Sequence, residues 1–257
     1  YLYGGDGDDS LQGGTGNDYM QGDAGNDTVE AGEGDDFLRG DAGNDFVYGG
    51  DGNDSVYGGA GNDMVFGGAG NDEIYGGYDT DTVYGGDGDD TITGSGGNDI
   101  VFGGDGNDFI HGSDGADTLY GGLGADTILG EEDADSIYAG SGDYVDGYES
   151  VTTGTDDDRL YLTDVDWIDF DDLNRENGIV HFNDGGTLNF YNIEHVYVDG
   201  ALIGDSDGVV SGTAGDDLID GSYTGDPGGD LVDGGDATAP GAGADDDVIQ
   251  AGAGNDW

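Results

Sequence analysis

The chain has no cysteine and very few basic residues. Its 257 residues include no Cys, 3 Lys and Arg together, 3 His and 2 Pro. The absence of Cys excludes disulfides, zinc–thiolate centres and cysteine nucleophiles. The scarcity of Lys and Arg excludes a nucleic-acid partner, because neutralising phosphates requires cationic side chains. No run of about 18 apolar residues occurs, so we expect no membrane insertion.

Acidic residues dominate the composition instead. The chain carries 60 Asp and Glu, and its formal net charge is −57. Low hydrophobicity with high net charge is typical of disorder, so we expect the chain to stay largely unfolded until divalent cations neutralise its carboxylates. The N-terminus, Tyr1-Leu2-Tyr3-Gly4, has neither an initiator Met nor a signal-peptide pattern, and we expect the chain to be a piece of a longer protein.

A nine-residue repeat organises the first half of the chain. From Gly4 to Tyr138 the sequence divides into fifteen consecutive nonapeptides, of which Gly49–Tyr57 (GGDGNDSVY) is representative. The eighth position is always aliphatic or Met, and the sixth is always Asp. The sixth-position residues are Asp9, Asp18, Asp27, Asp36, Asp45, Asp54, Asp63, Asp72, Asp81, Asp90, Asp99, Asp108, Asp117, Asp126 and Asp135.

One apolar residue in nine, followed by paired glycines, predicts a very short strand between tight turns. With position eight pointing inward, positions seven and nine point outward, and the glycines supply the positive φ angles that the turns need. Two such units form a coil of 18 residues, and coils stack at about 4.8 Å. The sequence therefore predicts an all-β fold, a parallel β-roll or β-solenoid, in which Asp54 and Asp72 face each other across adjacent coils.

Stacked carboxylates favour a bound cation. Like charges about 4.8 Å apart repel by roughly 0.9 kcal/mol per pair even in water, and the repulsion recurs along two rows. Carboxylate oxygens and free turn carbonyls suit calcium, which accepts six to eight oxygen ligands in flexible geometry. Softer metals require His or Cys, and no His occupies a recurring position. We therefore expect multiple Ca²⁺ ions, with the sixth-position Asp residues as metal ligands.

The repeat resembles the Gly-Gly-x-Gly-x-Asp-x-aliphatic-x unit of the RTX (repeats-in-toxin) calcium-binding family. This resemblance implies a parallel β-roll with calcium held between turns one coil apart. It also implies type I secretion from a Gram-negative bacterium, folding triggered by extracellular calcium, and turn carbonyls that complete each calcium shell.

Some repeats depart from the pattern. The fourth-position glycine is replaced by Asp79 and Asp133, which puts the calcium sites that touch them in doubt. The second-position glycine is replaced by Asp23, Asp41, Ser95, Ser113 and Glu131.

We divide the chain into a β-roll at residues 1–142, a small antiparallel β module at residues 143–208 and a second, divergent RTX array at residues 209–257. In the module, alternating residues predict strands at Arg159–Thr163, Gly178–Phe182, Thr187–Tyr191 and Glu194–Val198. Asn183–Gly186 predicts a hairpin turn, and Asp169–Asn177 predicts a short helix. The residues expected to form its small core are Trp167, Phe182 and Phe190.

The second array is expected to bind metal through Asp217, Asp230, Asp247 and Asp256, which occupy the sixth position of loose repeats. It stops in the middle of a unit that Tyr1–Tyr3 would complete. We therefore hypothesise that such segments join head to tail into filaments, covalently or as stacked subunits.

Two further patterns leave alternatives open. Rings at position nine recur every 18 residues and predict a ladder on one sheet face: Tyr48, Phe66, Tyr84, Phe102, Tyr120 and Tyr138. Such a ladder stabilises its own sheet through cross-strand stacking, or it packs a neighbour or binds sugar rings. His181 and His195 are candidates for a metal or acid–base pair with Asp184 and Glu194, but structural roles for these histidines are favoured.

The sequence favours a secreted, calcium-binding structural protein over an enzyme. Its predicted role is a rigid extracellular fibre, matrix or adhesin segment at the cell surface. The alternative is a C-terminal secretion and folding module of an RTX exoenzyme or toxin whose catalytic domain lies outside this chain. No His-Glu-x-x-His or Gly-x-Ser-x-Gly motif occurs, so we predict no catalytic residues within it.

Overall fold

The structure, a computed structural model, describes residues 1–148, 157–170, 177–205, 210–211 and 249–250. Every regular element in these residues is a β-strand. The prediction of an all-β fold is therefore confirmed. None of the described residues forms a helix that is long and apolar enough to span a membrane.

The strands alternate between two large sheets. Sheet A contains, in spatial order, β1 (Leu2–Asp6), β3 (Tyr19–Ala24), β5 (Phe37–Ala42), β7 (Ser55–Ala60), β9 (Glu73–Tyr78), β11 (Thr91–Gly96), β13 (Phe109–Asp114), β15 (Thr127–Glu132), β17 (Tyr144–Asp146), β21 (Thr187–Tyr191), β20 (Gly178–Phe182) and β19 (Val165–Phe170). Sheet B contains, in the same way, β2 (Ser10–Thr15), β4 (Thr28–Glu33), β6 (Phe46–Asp51), β8 (Met64–Ala69), β10 (Thr82–Asp87), β12 (Ile100–Asp105), β14 (Thr118–Leu123), β16 (Ser136–Tyr138), β18 (Arg159–Leu162), β22 (His195–Val198) and β23 (Ala201–Asp205). A parallel pair, β24 (Val210–Ser211) and β25 (Ile249–Gln250), forms a third sheet.

Residues that pair on neighbouring strands of the repeats are two nonapeptides apart in sequence. Ile92 on β11 pairs in parallel with Ile74 on one side and Ile110 on the other, each 18 residues away. One repeat supplies a strand to sheet A and the next supplies a strand to sheet B. The predicted coil of 18 residues is therefore confirmed.

Position eight forms the core between the two sheets. Its side chains are buried from Leu11 to Ile137, and the core continues beyond the repeats to Leu188 and Phe190. Positions seven and nine lie outward and are partly or fully exposed, as the pattern of β12 shows. Burial of one apolar side chain per strand fixes which face of each strand points inward.

The turns use backbone conformations that favour glycine. At positions two and four φ is positive, for example 119° at Gly50 and 137° at Gly52. The residues that replace glycine at position four keep this conformation, with φ of 73° at Asp79 and 74° at Asp133. The position-two replacements also have positive φ: Asp23, Asp41, Ser95, Ser113 and Glu131. Each such residue costs about 1 kcal/mol in backbone strain, and all of them lie at the end of sheet A strands or in the turns that follow them.

The backbone hydrogen bond between neighbouring coils is longer beside Asp79 and Asp133. Position four of one coil donates its backbone N–H to the carbonyl oxygen of position three in the next coil. This distance is 2.8 Å from Gly52 but 3.3 Å from Gly61, whose partner precedes Asp79, and 3.4 Å from Gly115, whose partner precedes Asp133. A Cβ at position four therefore separates neighbouring coils at two points.

Residues 143–205 extend the same two sheets. β17 pairs in parallel with β15 and β21, and β18 pairs in parallel with β16 and β22. The sheets then end in antiparallel strands, because β19, β20 and β21 form one antiparallel meander and β22 pairs antiparallel with β23. The predicted hairpin between β20 and β21 is confirmed. The division of the chain into three domains stays a prediction.

Three expectations for this region were wrong or incomplete. Asp169 and Phe170 belong to β19, so a helix does not begin at Asp169; residues 171–176 of the predicted helix lie outside the described residues. Trp167 is 50% exposed and stacks on His181 rather than filling a core, because it lies on the outer face of β19. Strands β19 and β23 were not predicted, since neither shows a clean alternation of apolar and polar residues.

Candidate metal centres

The sixth-position carboxylates form two rows along the roll. Row A precedes the strands of sheet A and contains Asp18, Asp36, Asp54, Asp72, Asp90, Asp108 and Asp126. Row B precedes the strands of sheet B and contains Asp9, Asp27, Asp45, Asp63, Asp81, Asp99, Asp117 and Asp135. From Asp27 to Asp135 every member is at most 4% exposed. Buried ionisable groups need partners, so their two oxygens must be accounted for.

The first carboxylate oxygen holds neighbouring coils together. The backbone N–H of Asp63 donates to Asp81 Oδ1 at 2.8 Å, and the N–H of Asp81 donates in turn to Asp99 Oδ1 at 2.8 Å. The same bond recurs along both rows, always to the Asp of the next coil. Each row is therefore a continuous hydrogen-bond ladder that satisfies backbone donors outside the strands.

The second oxygen lacks a hydrogen-bond donor along most of both rows. Oδ2 is buried without a hydrogen-bond partner at Asp9, Asp27, Asp36, Asp45, Asp54, Asp63, Asp72, Asp81, Asp90, Asp99, Asp108, Asp117 and Asp126. A buried carboxylate oxygen without a donor is strongly unfavourable unless a cation faces it. This repeated orphan is the structural observation that fits the predicted metal ligands.

Position one, which is glycine in every repeat of the first array except at Ala31, lies beside this oxygen. A Cβ on Gly76 would lie 2.8 Å from Asp81 Oδ2 and 2.8 Å from the carbonyl oxygen of Gly94 in the next coil. The equivalent oxygens lie beside Gly94, where a Cβ would be 2.7 Å from Asp99 Oδ2 and 2.8 Å from the Gly112 carbonyl oxygen. A carboxylate oxygen and a backbone carbonyl from adjacent coils thus converge, and both are hard donors of the kind that calcium prefers.

Burial makes the charged form of these carboxylates unfavourable. Desolvation raises the pKa of Asp81 to about 8, although the hydrogen bond from the Asp63 backbone lowers it and the charges of Asp63 and Asp99 raise it further. Desolvation likewise raises the pKa of Asp117 to about 8 and that of Asp90 to about 7. Without a cation, ionisation of the row carboxylates therefore destabilises the folded roll.

Position five provides an internal comparison. Its Asn and Asp side chains also form ladders, in the opposite direction along the roll: the N–H of Asn44 donates to Asn26 Oδ1 at 2.8 Å, and the N–H of Asn53 donates to Asp35 Oδ1 at 3.1 Å. Asn and Asp alternate freely at this exposed position, so the ladder alone does not require a carboxylate. Because position six is Asp in all fifteen repeats, its charge has a role beyond the ladder.

Three carboxylates that the sequence analysis missed extend the rows. Asp143 continues row A, since Asp126 N–H donates to its Oδ1 at 2.9 Å. Asp158 continues row B, because Asp135 N–H donates to its Oδ1 at 2.7 Å, and Asp158 N–H donates to Glu194 Oε2 at 2.6 Å. The sequence separations here are 17, 23 and 36 residues rather than 18, which hides these positions from the nonapeptide period.

The metal ligands of the second array stay predictions. Asp217, Asp230, Asp247 and Asp256 lie outside the described residues. Within the part of the chain that the structure describes, no group of three His, Cys, Asp or Glu side chains is placed to hold a metal ion by itself. Any ion in the rows would therefore draw on carboxylates of successive coils together with backbone carbonyls.

The histidines do not form the pair considered from the sequence. His181 stacks on Trp167 with ring centroids 3.6 Å apart, and His195 Nε2 lies 2.8 Å from Asp157 Oδ1. They stand on different sheets, on β20 and β22 respectively. The structural interpretation of these residues is favoured.

Short parallel strands stacked in coils, with rows of orphaned carboxylate oxygens beside turn carbonyls, define a cation-binding β-solenoid. The RTX calcium-binding nonapeptide repeat, in four copies, matches residues 3–38, 30–65, 39–74, 57–92, 75–110, 111–145 and 242–257, which cover more than half of the chain. The chain belongs to this family, and its repeats are calcium-binding repeats. The match at 242–257 falls within the predicted second array.

Among solved structures, the chain is similar to the crystal structure of the extracellular lipase LipA from Serratia marcescens. The two are 17% identical, the alignment covers 80% of this chain and 39% of the lipase chain, and the TM-score is 0.18. At this score the likeness carries no argument, and the chain spans well under half the length of that lipase. No curated protein matches the chain.

Proposed function

We propose that the chain is an extracellular structural segment whose β-roll folds and stiffens when calcium occupies the two carboxylate rows. The observation that supports this proposal is the buried Oδ2 without a donor, repeated at thirteen sixth-position residues. Calcium, when bound, supplies positive charge and accepts oxygen ligands from adjacent coils. Folding and ion binding are then a single equilibrium.

The two oxygens of each row carboxylate have different roles. From Asp27 onward, Oδ1 of each row Asp accepts the backbone N–H of the Asp in the preceding coil, which sets the position of the carboxylate. Oδ2, together with a position-one carbonyl of the next coil such as that of Gly94, would hold the ion. In this proposal the metal ligands are the fifteen sixth-position Asp residues of the first array, together with Asp158 and Glu194 at the end of row B.

The family and the net charge support a wider role outside the cell. RTX repeats fit a protein that leaves a Gram-negative bacterium unfolded through type I secretion and meets millimolar calcium outside the cell. A chain of net charge −57 stays extended in low calcium and becomes a rod of stacked coils in high calcium. Such a rod suits a fibre, matrix or adhesin segment, and head-to-tail association of rods would lengthen it.

Calcium titration of the purified chain tests this proposal. Circular dichroism in low salt should show disorder in excess chelator and β-sheet after calcium is added, with a midpoint on the order of 0.1–1 mM. Magnesium at the same concentration should not induce the sheet, because it demands a stricter octahedron. A sheet that persists unchanged through exhaustive chelation would refute calcium-dependent folding. Electron microscopy in calcium then separates filaments from single rods.

A further inference from the structure

Part of the outer face of sheet B carries no charged side chain at positions seven and nine. The outward residues of the five strands β8, β10, β12, β14 and β16 define what we call the aromatic strip. Its position-nine residues, the ring rail, are Phe66, Tyr84, Phe102, Tyr120 and Tyr138. Its position-seven residues, the small rail, are Met64, Thr82, Ile100, Thr118 and Ser136. In a chain with 60 acidic residues, an uncharged strip of this length on sheet B requires an explanation.

The ring rail is a continuous stack. Successive centroids are 4.7, 4.8, 4.6 and 4.4 Å apart from Phe66 to Tyr138, with interplanar angles of 5° to 14°. The stack continues through Tyr161 to Tyr197, whereas Tyr48 meets Phe66 edge-on. The predicted ladder is therefore confirmed from Phe66 onward. Each inner ring has neighbours on both faces, so the rail presents ring edges to solvent.

This geometry is poor for two of the expected occupants. A sugar ring stacks on a free aromatic face, and the inner rings of the rail have none. A second copy of the chain would meet the strip over about 24 Å by 10 Å, on the order of 250 Å² per molecule. Stable interfaces bury about 800 Å² per partner, and two chains of net charge −57 also repel each other.

The two rails enclose a shallow channel that runs along the roll. Side chains two residues apart on one strand face are separated by about 7 Å, which leaves a clear width close to the thickness of one aromatic plane. The channel opens to solvent, since Met64 is 43% and Ile100 39% exposed on the small rail. Its sides are uncharged, but the exposed Asp87 and Asp105 end strands β10 and β12 beside it.

We propose that this channel binds planar, elongated, cationic aromatic molecules. The spacing of the rails selects a flat ligand, the unbroken length of about 24 Å selects an elongated one, and the acidic surroundings select a cation. Sheet A lacks such a channel because Arg39, Glu73 and His111 interrupt its outer face. Its parallel stacks are two rings long in the repeats, as for Tyr57 with Tyr75, and the contact between Phe37 and Tyr57 that joins two of them is tilted by 38°.

The benzothiazole cation thioflavin T is the probe for a titration of the calcium-loaded full chain. Its fluorescence should rise saturably, and raising NaCl from about 20 to 500 mM should weaken binding, because salt screens the attraction of the carboxylates. Phe102→Thr interrupts the ring rail and should weaken binding at least tenfold. Tyr75→Thr, the matched position-nine change on sheet A, should leave binding within about twofold of the parent.

A second pair of variants leaves the ring stack intact. Ile100→Lys places a cation in the small rail and should weaken thioflavin T binding at least tenfold, while Thr91→Lys at the same position on sheet A should not. Circular dichroism in calcium checks that all variants fold, which keeps failure of the channel distinct from failure of calcium-dependent folding. Equal affinity in all four variants would overturn the proposal. The proposal would also be overturned if the calcium-loaded chain formed a dimer that Ile100→Lys abolishes, or if it bound a neutral oligosaccharide and Ile100→Lys abolished that binding.

Discussion

Replacing Asp81 by Asn separates the two roles of a row carboxylate. Asp81 Oδ1 accepts the backbone N–H of Asp63 at 2.8 Å, and an amide oxygen accepts the same bond. The amide nitrogen takes the place of Oδ2 on the side of the Gly94 carbonyl, and it offers N–H donors where the carboxylate oxygen lacks a partner. Asp81→Asn therefore keeps the ladder and removes the charge.

We expect opposite effects with and without calcium. Burial raises the pKa of Asp81 to about 8 from 3.8, so at pH 7 the metal-free fold disfavours the ionised form that the unfolded chain adopts. Between pH 3.8 and pH 7 this difference in pKa lowers the free energy of unfolding of the metal-free roll by at most about 4 kcal/mol. Relaxation of the protein and penetration of water around the charge reduce this to about 2 kcal/mol. Asp81→Asn should thus stabilise the metal-free roll by about 2 kcal/mol and weaken calcium binding.

Two titrations measure these effects. In excess chelator at pH 7, a stabilising osmolyte such as trimethylamine N-oxide brings the parent chain into its folding transition, and Asp81→Asn should fold at a lower osmolyte concentration. With calcium as the titrant, isothermal titration calorimetry should show about one bound ion fewer per chain. The calcium concentration at the midpoint of folding should be higher than for the parent chain.

The control is Asp87→Asn, which removes the same charge from an exposed position on β10. It should change the free energy of folding measured in the osmolyte titration by at most a few tenths of a kcal/mol and leave the number of bound ions unchanged. If Asp81→Asn and Asp87→Asn behave alike in both titrations, the buried oxygen is not a metal ligand and the reasoning fails.

Three further predictions concern pH and backbone space. Because burial raises the pKa of row carboxylates such as Asp54 and Asp108 to about 7 and about 6, the stability that protonation gives the metal-free fold is complete below about pH 4 and is lost progressively as pH rises through 6 and 7. Circular dichroism in chelator should show more β-sheet at pH 5 than at pH 8, and equal spectra would contradict this. Gly76→Ala places a Cβ 2.8 Å from Asp81 Oδ2 and should lower both calcium affinity and the thermal midpoint in calcium. Gly5→Ala, whose Cβ meets nothing within 4 Å, should cost only about 1 kcal/mol of backbone strain. Asp79→Gly should raise the thermal midpoint in calcium, since it removes about 1 kcal/mol of strain at φ 73°; an unchanged midpoint would show that this turn is already relaxed.

The repeated part of the fold follows from the sequence because one period fixes several properties together. A nine-residue unit with a single inward aliphatic side chain determines strand length, the side chain that faces inward and the 18-residue register, as Ile74, Ile92 and Ile110 show. The same period aligns the sixth-position Asp residues. What the period does not reveal is the use of each oxygen, since Oδ1 binds a backbone N–H and only Oδ2 remains without a donor.

Beyond the repeats, the fold persists after the period fails. Asp143-Tyr144-Val145 and Asp158-Arg159-Leu160 keep the order of Asp, outward residue and inward aliphatic, and this local pattern is the signal that identifies their rows. A search for exact nonapeptides misses both, because these row positions follow the preceding ones by 17 and 23 residues rather than 18. The exposure of Trp167 was not predictable in the same way, since a lone aromatic residue does not specify which face of a strand is buried.

The end of row A shows what removes a carboxylate from the proposed ligand set. Asp143 Oδ1 accepts the N–H of Asp126 at 2.9 Å, as in the inner coils, but its Oδ2 accepts the N–H of Gly140 at 2.7 Å. Both oxygens therefore have protein donors. Leu188 stands in register with Asp143 on the next strand, so row A has no further carboxylate.

Row B continues for two further positions because its coil keeps the geometry of the repeats without their sequence. A Cβ on Gly147 would approach both Asp158 Oδ2 and the Asn192 carbonyl, the same kinds of oxygen that surround Gly76. Asp158 N–H then donates to Glu194, whose longer side chain reaches the acceptor position of a row Asp. The requirement for a row position is thus a carboxylate oxygen beside a carbonyl of the next coil, and a nonapeptide is one of several sequences that meet it.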